Sequence, residues 1–428
     1  MKPVFFHVDV NSAFLSWSAA YRVGFLGEKT DLRNIPSVVG GNEKNRHGIV
    51  LAKSTPAKKF GIKTGEALVA ARNKCPGLVV IPPDYELYVR SSRALIDLLG
   101  RYTDRVQQYS IDEAFADMTG CSCILGSPAV FAGELKEIIK AELGFTVNIG
   151  ISSCKFLAKM ASDFEKPDKV HTLFPDEIPS KMWPLPVEDM FFVGRSGTRR
   201  LNGLGIHTIG ELAATDHDIL VSHFGKYGDM IWNFAHGEDH SFAFSAPEES
   251  KGYGNSVTVP SDILTKEDAM PVLLSLCETV GARLRADKAK ASVIGISIVD
   301  SDFNFSSHQR RLPSPTSTTM ELFVCARALF GQLWKKDPIR QLGVHTSDVT
   351  HESAYQYNLF DGDKYDRLSR LDAAIDTIRE KYGEDSVMRA TFLDHPDQHM
   401  TGGINKARRN GLTKKVKKLP WNFDKKDQ

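Results

Sequence analysis

Three acidic residues of this 428-residue chain are candidates for metal-dependent chemistry. Asp9 ends an alternating segment at the amino terminus, and Asp112 and Glu113 follow one another where a hairpin is expected to turn. Magnesium prefers such carboxylate oxygens and keeps coordination positions for substrate phosphates. Two magnesium ions held by shared carboxylates stabilise both the attacking and the leaving oxygen of a phosphoryl transfer. An acidic pair in a turn is by itself more often solvated than metal-bound, so the surrounding elements and motifs must decide.

The elements around these acids predict one sheet. In chain order they are a strand (3–10), a helix (13–22), a longer helix (85–102), a hairpin (105–110 and 114–118), a helix (128–142) and a strand (145–151). Asn11 or Ser12 is expected to cap the first helix. The β-α-β-β-α-β order is typical of a split, ferredoxin-like sheet. Neighbouring strands of such a sheet bring Asp9 close to Asp112 and Glu113, which are about a hundred residues away in sequence.

The remaining chain predicts further domains around this sheet. About sixty residues separate the first strand and helix from the rest, and they contain a hairpin over 36–52. A mostly helical region extends to about residue 240, and an α+β region covers about 250–350. A helix over 365–382 and a basic end follow. The predicted fold class is therefore α+β and multidomain.

Composition restricts the classes of function. The length predicts about three domains. The formal net charge is +1, so any nucleic-acid binding must rest on local charge clusters. None of the six cysteines forms a Cys-x-x-Cys pair, so neither a zinc site nor a disulfide framework is predicted. The chain has neither the apolar run of a signal peptide nor a stretch long enough to cross a bilayer, so a cytoplasmic protein without membrane association is expected.

Three motifs give the acids a context. They are His-Val-Asp-Val-Asn-Ser-Ala-Phe at 7–14, Tyr-Ser-Ile-Asp-Glu-Ala-Phe-Ala-Asp at 109–117, and Gly-Ile-Ser-Ser-Cys-Lys-Phe-Leu-Ala-Lys-Met-Ala-Ser-Asp at 150–163, which Lys166-Pro167-Asp168 continues. In order and spacing they resemble three motifs of the Y-family DNA polymerases, and the resemblance covers roughly residues 1–350. The Val-Asp-Val-Asn start looks closer to the UmuC-type (impB/mucB/samB) branch than to the DNA polymerase IV branch, which tends to have a second Asp where Asn11 stands.

The resemblance implies a right-hand polymerase with a ferredoxin-like (βαββαβ) palm, small α/β fingers, a helical thumb and a C-terminal α+β little finger. The implied boundaries are palm at 1–24 and 80–168, fingers at 25–79, thumb at 169–240, linker at 241–251, little finger at 252–350 and C-terminal tail at 351–428. It also implies low-fidelity, template-directed DNA synthesis across lesions. Primer–template DNA and deoxynucleoside triphosphates (dNTPs) are the implied partners, and a monomer is expected.

Carried over to this sequence, the resemblance assigns the catalytic residues. Asp9, Asp112 and Glu113 are then the ligands of two Mg²⁺ ions, for which Mn²⁺ can substitute, and the backbone carbonyl of Val10 is a further ligand. A primer 3′-hydroxyl attacks the α-phosphorus of the incoming dNTP. Phe14 occupies the position of the steric gate, a bulky ring that blocks a ribose 2′-hydroxyl.

Three further residues are expected to bind the dNTP. Lys159 matches the phosphate lysine of the family. Thr55 and Lys58 stand where many members carry a Tyr and an Arg. Lysine lacks the bidentate fork of arginine, so the triphosphate grip from this side is expected to be weaker.

Two regions are expected to hold DNA. Residues 193–206 resemble a helix-hairpin-helix, in which Gly194 and Arg195 contact DNA phosphates without reading sequence. The usual first glycine of that hairpin is replaced by Phe192. The implied little finger adds basic residues that raise affinity for the duplex backbone in a salt-dependent way, namely Arg283, Arg285, Arg310 and Arg311.

The tail carries a candidate partner motif. Gln356-Tyr357-Asn358-Leu359-Phe360 resembles the Gln-x-x-Leu-Phe peptide by which bacterial polymerases hold the sliding clamp. Gln356, Leu359 and Phe360 are the expected contacts, because an extended peptide places such side chains in apolar pockets. A basic arm from Lys406 to Lys418 either contacts DNA or only keeps the chain soluble.

Two other functions remain open. A nucleotidyl cyclase uses similar carboxylates on a similar sheet, but it needs no helix-hairpin-helix, DNA-gripping domain or clamp peptide. A catalytically idle DNA-binding or clamp-docked scaffold is the other alternative, which Thr55, Lys58 and Phe192 leave possible. The sequence also leaves open which lesions are bypassed, whether an activating subunit is needed, and whether the helix at 365–382 folds onto the body.

Overall fold

The computed structural model describes residues 3–43, 46, 48–121, 127–239, 249–351 and 362–393. The described residues divide into two compact units. The first unit contains residues 3–40 and 50–239, and the second contains residues 41–49 and those from 249 onwards, within the ranges just given. Among the described residues, four hydrophobic cores are present, three in the first unit and one in the second.

The first unit contains two sheets and a helical segment. Its elements up to residue 117 are β1 (Phe5–Val10), α1 (Ala13–Gly24), β2 (Ser37–Gly40), β3 (Val50–Lys53), α2 (Thr55–Lys59), α3 (Leu68–Lys74), β4 (Val79–Ile81), α4 (Tyr85–Leu99), β5 (Val106–Gln108) and β6 (Glu113–Asp117). The later elements are α5 (Pro128–Leu143), β7 (Val147–Ser152), α6 (Lys155–Asp163), β8 (Val170–Thr172), α7 (Ile178–Lys181), α8 (Arg195–Gly203), α9 (Ile209–Ala214), α10 (His217–Phe224) and α11 (Lys226–Ala235).

The larger sheet has the predicted ferredoxin-like arrangement. Its strand order is β5-β6-β1-β7-β8, and β1 runs antiparallel to both β6 and β7. The sequence interpretation did not include β8, which pairs parallel to β7 at the edge. Every residue of β1 and β7 is buried, because these central strands are covered on both faces. The alternation of residues 3–10 therefore separates two buried faces rather than a buried face from an exposed one.

Helix α6 packs directly on this sheet at Gly150. A Cβ atom at that position would lie 1.9 Å from the carbonyl oxygen of Ala158 and 2.4 Å from the backbone nitrogen of Ser162. Only glycine allows so close an approach of helix to strand. The glycine thus brings α6, with its lysines, next to the strands that carry the acids.

The inserted segment forms the smaller sheet. β2 pairs antiparallel with β3, as the hairpin prediction for 36–52 required, and parallel with β4, which was not predicted. Helices α2 and α3 close a small core with this sheet, made by Val38, Val50, Ala57, Ile62, Leu68, Ala71, Cys75 and Leu78. Helices α7 to α11 share another core with residues of α6, among them Leu157 and Met160.

The second unit is a four-stranded sheet with helices. Its elements are β9 (Gly252–Ile263), α12 (Lys266–Ala286), β10 (Lys290–Asp300), β11 (Phe305–Thr316), α13 (Thr319–Leu333), β12 (Ile339–Thr350) and α14 (Gly362–Tyr382). The strand order is β11-β10-β12-β9, all antiparallel, and α12 and α13 bury one face. No helix among the described residues combines the length and the apolar character that crossing a bilayer requires.

Helix α14 folds onto the second unit. The Arg285 guanidinium of α12 bonds the Asp376 carboxylate at 2.5 and 3.0 Å and reaches Asp372 at 3.3 Å. Arg379 of α14 lies 3.4 Å from Glu278, which is 2% exposed. The sequence left open whether this helix packs on the rest of the protein. In the structure, buried ion pairs hold it against α12.

The predicted cap of α1 has the right position but lacks the expected hydrogen bond. Ser12 occupies the N-cap position with φ of 49°, but its side chain makes no capping hydrogen bond. The Asn11 side chain instead donates to Asn148 and accepts from the backbone N–H of Asp168. The Asn11 oxygen that local capping would have used as its acceptor is therefore bonded to Asp168 instead.

Candidate active site

The three acids lie at one end of the larger sheet. Asp9 and Glu113 are register partners on the adjacent strands β1 and β6. The backbone N–H of Val10 donates to the carbonyl of Asp112 at 3.0 Å, which holds the hairpin turn beside the end of β1. The structure thus brings together Asp9, Asp112 and Glu113, and the buried backbone of Val10 lies among them.

The Asp9 carboxylate is buried next to an ammonium group. Its Oδ2 atom lies 2.7 Å from Lys166 Nζ. Burial raises the pKa of Asp9 to about 6, against the opposing effect of Lys166. A buried carboxylate of this kind needs a positive partner to remain ionised at neutral pH.

The Glu113 carboxylate has a second ammonium partner. Lys159 Nζ lies 2.7 Å from Glu113 Oε1, and its side chain is only 7% exposed. The same nitrogen lies 4.9 Å from the ring centre of Phe191 and 5.9 Å from that of Tyr109. Lys159 is therefore enclosed and paired with Glu113.

Lys166 is a site residue that sequence reasoning did not single out. Its side chain is 36% exposed, and its Nζ lies 2.7 Å from both Asp9 Oδ2 and Asp163 Oδ1. Although burial acts the other way, Asp9 and Asp163 raise the pKa of Lys166 above its ordinary value. The signal was present in Lys166-Pro167-Asp168, which continues the third motif directly.

The donor set fits a divalent cation. Carboxylates and a backbone carbonyl are the hard oxygen ligands that such ions prefer, and Asp9 and Glu113 each already attract a positive charge. Among the described residues, no three His, Cys, Asp or Glu side chains converge as a preformed cluster. Asp112 Oδ1 instead accepts from Ser110 Oγ at 2.8 Å, so the Asp112 carboxylate bonds a residue of its own hairpin turn.

His7 lies beneath the acids. The Ser162 hydroxyl donates to the Lys159 carbonyl, so the His7 Nδ1–H donates to Ser162 Oγ at 2.7 Å. Burial, together with the charges of Lys159 and Lys166, lowers the pKa of His7 well below its ordinary value. The ring is therefore neutral and supports α6 from below.

Phe14 faces an aromatic group on α4. Its ring stacks on Tyr88, with centroids 4.3 Å apart, and meets Tyr85 edge-on at 6.1 Å. Phe14 is half-buried. In the smaller sheet's segment, Thr55 and Lys58 are both exposed on α2, which Ser54 caps through the N–H of Ala57.

Family models match three parts of the chain. They are the impB/mucB/samB family over residues 8–163, its C-terminal domain over residues 250–359, and the IMS family HHH motif over residues 175–206. A DNA polymerase IV from Clostridium acetobutylicum is 46% identical over 399 residues, which cover 93% of this chain and 100% of the relative. The chain belongs to the impB/mucB/samB family of Y-family DNA polymerases.

Other relatives agree with this assignment. A DNA polymerase IV from Acetivibrio thermocellus is 38% identical, covering 92% of this chain and 98% of the relative. DNA polymerase IV 2 from Bacillus subtilis is 35% identical, covering 91% and 94%. A solved Y-family DNA polymerase chimera, Dbh-Dpo4(243-245)-Dbh, has a TM-score of 0.70 at 20% identity and covers 82% of this chain and 100% of that chain. The last likeness concerns the fold, and it confirms the predicted multidomain polymerase class.

Asn11 does not separate this Y-family polymerase from the DNA polymerase IV group. The three sequence relatives just described carry that name, contrary to the expectation drawn from the Val-Asp-Val-Asn start. The side chain has a structural use, because its amide both donates and accepts hydrogen bonds. The cyclase and scaffold alternatives are not favoured by a relationship that covers more than nine-tenths of the chain.

The hairpin at the start of α8 is exposed. Gly194 is the N-cap residue of α8, and Gly194 and Arg195 both face solvent. Phe192 has a φ of 74°, a region that favours glycine. The Phe192 carbonyl accepts from the Tyr227 hydroxyl at 3.1 Å. The centroids of the Phe192 and Phe191 rings are 4.1 Å apart. These contacts stabilise the glycine-like turn without a glycine.

The four predicted DNA-contacting arginines of the second unit differ in exposure and in their partners. Arg283 is half-buried and donates to the carbonyl of Gly254 at 3.0 Å. Arg310 and Arg311 are exposed on the edge strand β11, where consecutive residues point to opposite faces of the sheet. Arg285 differs from the other three: its side chain is 12% exposed and is paired with Asp372 and Asp376 of α14.

The clamp-binding prediction falls outside the described residues. Gln356, Leu359 and Phe360 lie between the end of β12 at Thr350 and the start of α14 at Gly362. The basic arm from Lys406 to Lys418 also lies outside them.

Proposed function

We propose that this Y-family DNA polymerase extends primers across damaged templates by adding dNTPs to the 3′-hydroxyl with low fidelity. The family relationship and the fold give this activity to the chain as a whole. The observation that carries the site assignment is the register pair Asp9 and Glu113, each with an ammonium partner at 2.7 Å. Carboxylates at the ends of adjacent strands, each paired with a lysine, form a site for a metal-bound triphosphate.

Asp9, Asp112 and Glu113, with the Val10 carbonyl, are the proposed ligands. Y-family polymerases use divalent metal, and we assign two Mg²⁺ ions, for which Mn²⁺ can substitute. When bound, the ions neutralise charge on the attacking and leaving oxygens of phosphoryl transfer. For Asp112 to join the ligands, its carboxylate must leave Ser110 Oγ, which is a side-chain rotation within one turn.

The lysines divide between two roles in this proposal. Lys166, one third exposed and at the edge of the acids, binds the dNTP phosphates together with Lys58. Lys159, which is enclosed, orients Glu113 and adds positive charge from below. Phe14 excludes a ribose 2′-hydroxyl, and Thr55 lies next to the phosphates at the start of α2.

The remaining assignments concern DNA and partners. The larger sheet serves as palm, the smaller sheet as fingers, α7 to α11 as thumb, and the second unit as little finger. Gly194, Arg195, Arg283, Arg310 and Arg311 contact the DNA backbone. The polymerase acts as a monomer and holds the sliding clamp through Gln356, Leu359 and Phe360. Alanine at Leu359 and Phe360 is then expected to abolish clamp binding without reducing extension by the free polymerase.

Primer extension tests the core of this proposal. A primed template is offered with Mg²⁺, Mn²⁺ or a chelator, and with dNTPs or ribonucleoside triphosphates. Template-directed addition of dNTPs that requires the metal supports it, and exclusion of ribonucleotides supports Phe14. Intact DNA binding with no incorporation under any of these conditions overturns it in favour of the idle scaffold.

A further inference from the structure

Two buried amides connect the catalytic strand to the loop that carries Lys166. We call residues 163–169 the lysine loop. Asn11 follows Val10 at the end of β1, and Asn148 lies on the adjacent strand β7. The Asn11 Nδ2 group donates to Asn148 Oδ1 at 3.0 Å. Both side chains are buried, Asn148 completely, so each polar atom needs a protein partner.

Asn148 bonds the residue before the lysine loop and two residues within it. Its Nδ2 group donates to the carbonyl of Ser162 at 3.0 Å and to that of Glu165 at 2.6 Å. These carbonyls lie at the carboxy end of α6, where backbone C=O groups lack partners within a helix. Its Oδ1 atom also accepts from the N–H of Lys169 at 3.3 Å. One buried side chain therefore fixes where the loop leaves α6 and where it enters β8.

Asn11 holds the same loop near its carboxy end, at Asp168. Its Oδ1 atom accepts from the N–H of Asp168 at 2.9 Å. The Asp168 carboxylate is in turn paired with Lys136 of α5 at 2.9 Å. An aspartate at position 11 would accept the same bond but could not donate to Asn148. The amide is required because it performs both tasks at once.

We infer that Asn11 and Asn148 are positioning residues that fix Lys166 beside Asp9 and thereby set the affinity for the incoming dNTP. The inference deepens the proposed function, since it rests on the phosphate role of Lys166. A lysine on a mobile loop loses more conformational freedom when it binds a phosphate than one whose backbone is already fixed. Because the two amides already fix the backbone of the loop, less conformational entropy is lost when Lys166 binds the nucleotide.

The first test measures dNTP binding without chemistry. The dissociation constant is determined in the complex with a primer–template that has a dideoxy 3′ end, in Mg²⁺. Asn148→Ala and Asn11→Ala are each expected to weaken binding on the order of tenfold, as misplacement of a binding group does. Ser152→Ala is the matched control, because this fully buried serine of the same strand bonds the Leu173 carbonyl instead of the lysine loop.

A double-mutant cycle separates positioning from a general structural role. If Asn148 acts through Lys166, then Asn148→Ala combined with Lys166→Ala binds dNTP no more weakly than Lys166→Ala alone. Losses that add in the double variant overturn the inference. Unchanged dNTP affinity in Lys166→Ala overturns the phosphate role itself, which is a distinguishable failure.

A second measurement does not depend on nucleotide binding. The acetylation rate of Lys166 in the free protein is followed by mass spectrometry, with the exposed Lys226 of α11 as internal reference. Asn148→Ala is expected to raise the relative rate several-fold, because a released loop exposes the ammonium that now lies 2.7 Å from Asp9 and Asp163. An unchanged rate in a folded variant overturns the inference.

Discussion

The rings of Phe14 and Tyr88 lie face to face, with centroids 4.3 Å apart and planes 7° from parallel. Tyr88 is fully buried, and its hydroxyl shares a hydrogen bond with Ser18 Oγ at 3.1 Å. Trp17 packs against Tyr88 at 5.9 Å. The proposed steric gate is therefore backed by a rigid aromatic wall, which prevents it from rotating away from a ribose.

Loss of either ring is expected to relax sugar discrimination. Phe14→Ala removes the gate, and Tyr88→Leu removes its support, so both should raise the ratio of kcat/KM for a ribonucleotide to that for its dNTP. We expect on the order of tenfold or more for Phe14→Ala, which corresponds to about 1.4 kcal/mol, and a smaller rise for Tyr88→Leu. Phe131→Leu, in the same core but stacked on Phe6, is the control and should leave the ratio unchanged. If Phe14 excluded the 2′-hydroxyl without support from Tyr88, then Tyr88→Leu would leave this ratio of kcat/KM values unchanged.

Alanine at Asp112 is expected to reduce extension on the order of 10²–10³-fold or more, as loss of a preorganised charged group at a reacting centre does. DNA affinity should hardly change, because Asp112 does not grip the duplex. Asp117→Ala is the matched control on the opposite end of β6, where the carboxylate pairs with Arg105 at 3.1 Å. Equal activities of the two variants in single-turnover extension would refute the metal assignment.

Removal of divalent metal is expected to stop extension without unfolding the protein. Asp9 and Glu113 each have an ammonium partner at 2.7 Å, so their charges are compensated in the metal-free state. The thermal midpoint in chelator should stay within about 2 °C of that in Mg²⁺. A much larger drop, measured by calorimetry, would mean that the lysines do not compensate the acids.

Arg285→Ala is expected to release α14 from the second unit. Removing one partner of a buried ion pair costs about 3–5 kcal/mol, and Arg285 bonds both Asp372 and Asp376. Hydrogen exchange should show loss of protection in α14. Arg311→Ala is the control: its pair with Asp348 is exposed and contributes about 0–1 kcal/mol. Protection of α14 that survives in Arg285→Ala would contradict the assigned role.

His217 is expected to make the helical segment more stable at lower pH. Its Nε2 atom bonds Asp229 at 2.9 Å, and this bond raises the pKa of His217 above the ordinary 6.5. A raised pKa stabilises the folded state fully below the unfolded value, and the effect disappears as pH rises through the folded value. The unfolding midpoints of wild type and His217→Ala should therefore differ below about pH 6 and converge above pH 8. Asp229→Asn should behave in the same way; a constant difference across this range would exclude the linkage.

Several features could be predicted from the sequence because they depend on local pattern. The alternation and helical periodicity around residues 3–151 gave the ferredoxin-like order, since strand and helix periods differ. The resemblance of the motifs to those of the family predicted Asp9, Asp112 and Glu113 as metal ligands, and the structure places these acids at one end of the larger sheet. The short edge strands β4 and β8 were missed, since three residues carry too little periodicity to recognise.

The tertiary structure decided which of several similar side chains does what. Lys166 bonds Asp9, which is 157 positions away in the sequence. Asn11 bonds Asn148, which is 137 positions away, instead of capping the helix that follows it. Arg285 looks like its neighbours in a basic run, yet α14 buries it. Such pairings depend on which faces are brought together and desolvated, and desolvation determines whether a charge binds a partner inside the fold or remains available outside it. The sequence by itself determined the family chemistry and the order of the elements; the packing of distant segments determined the partner of each charge.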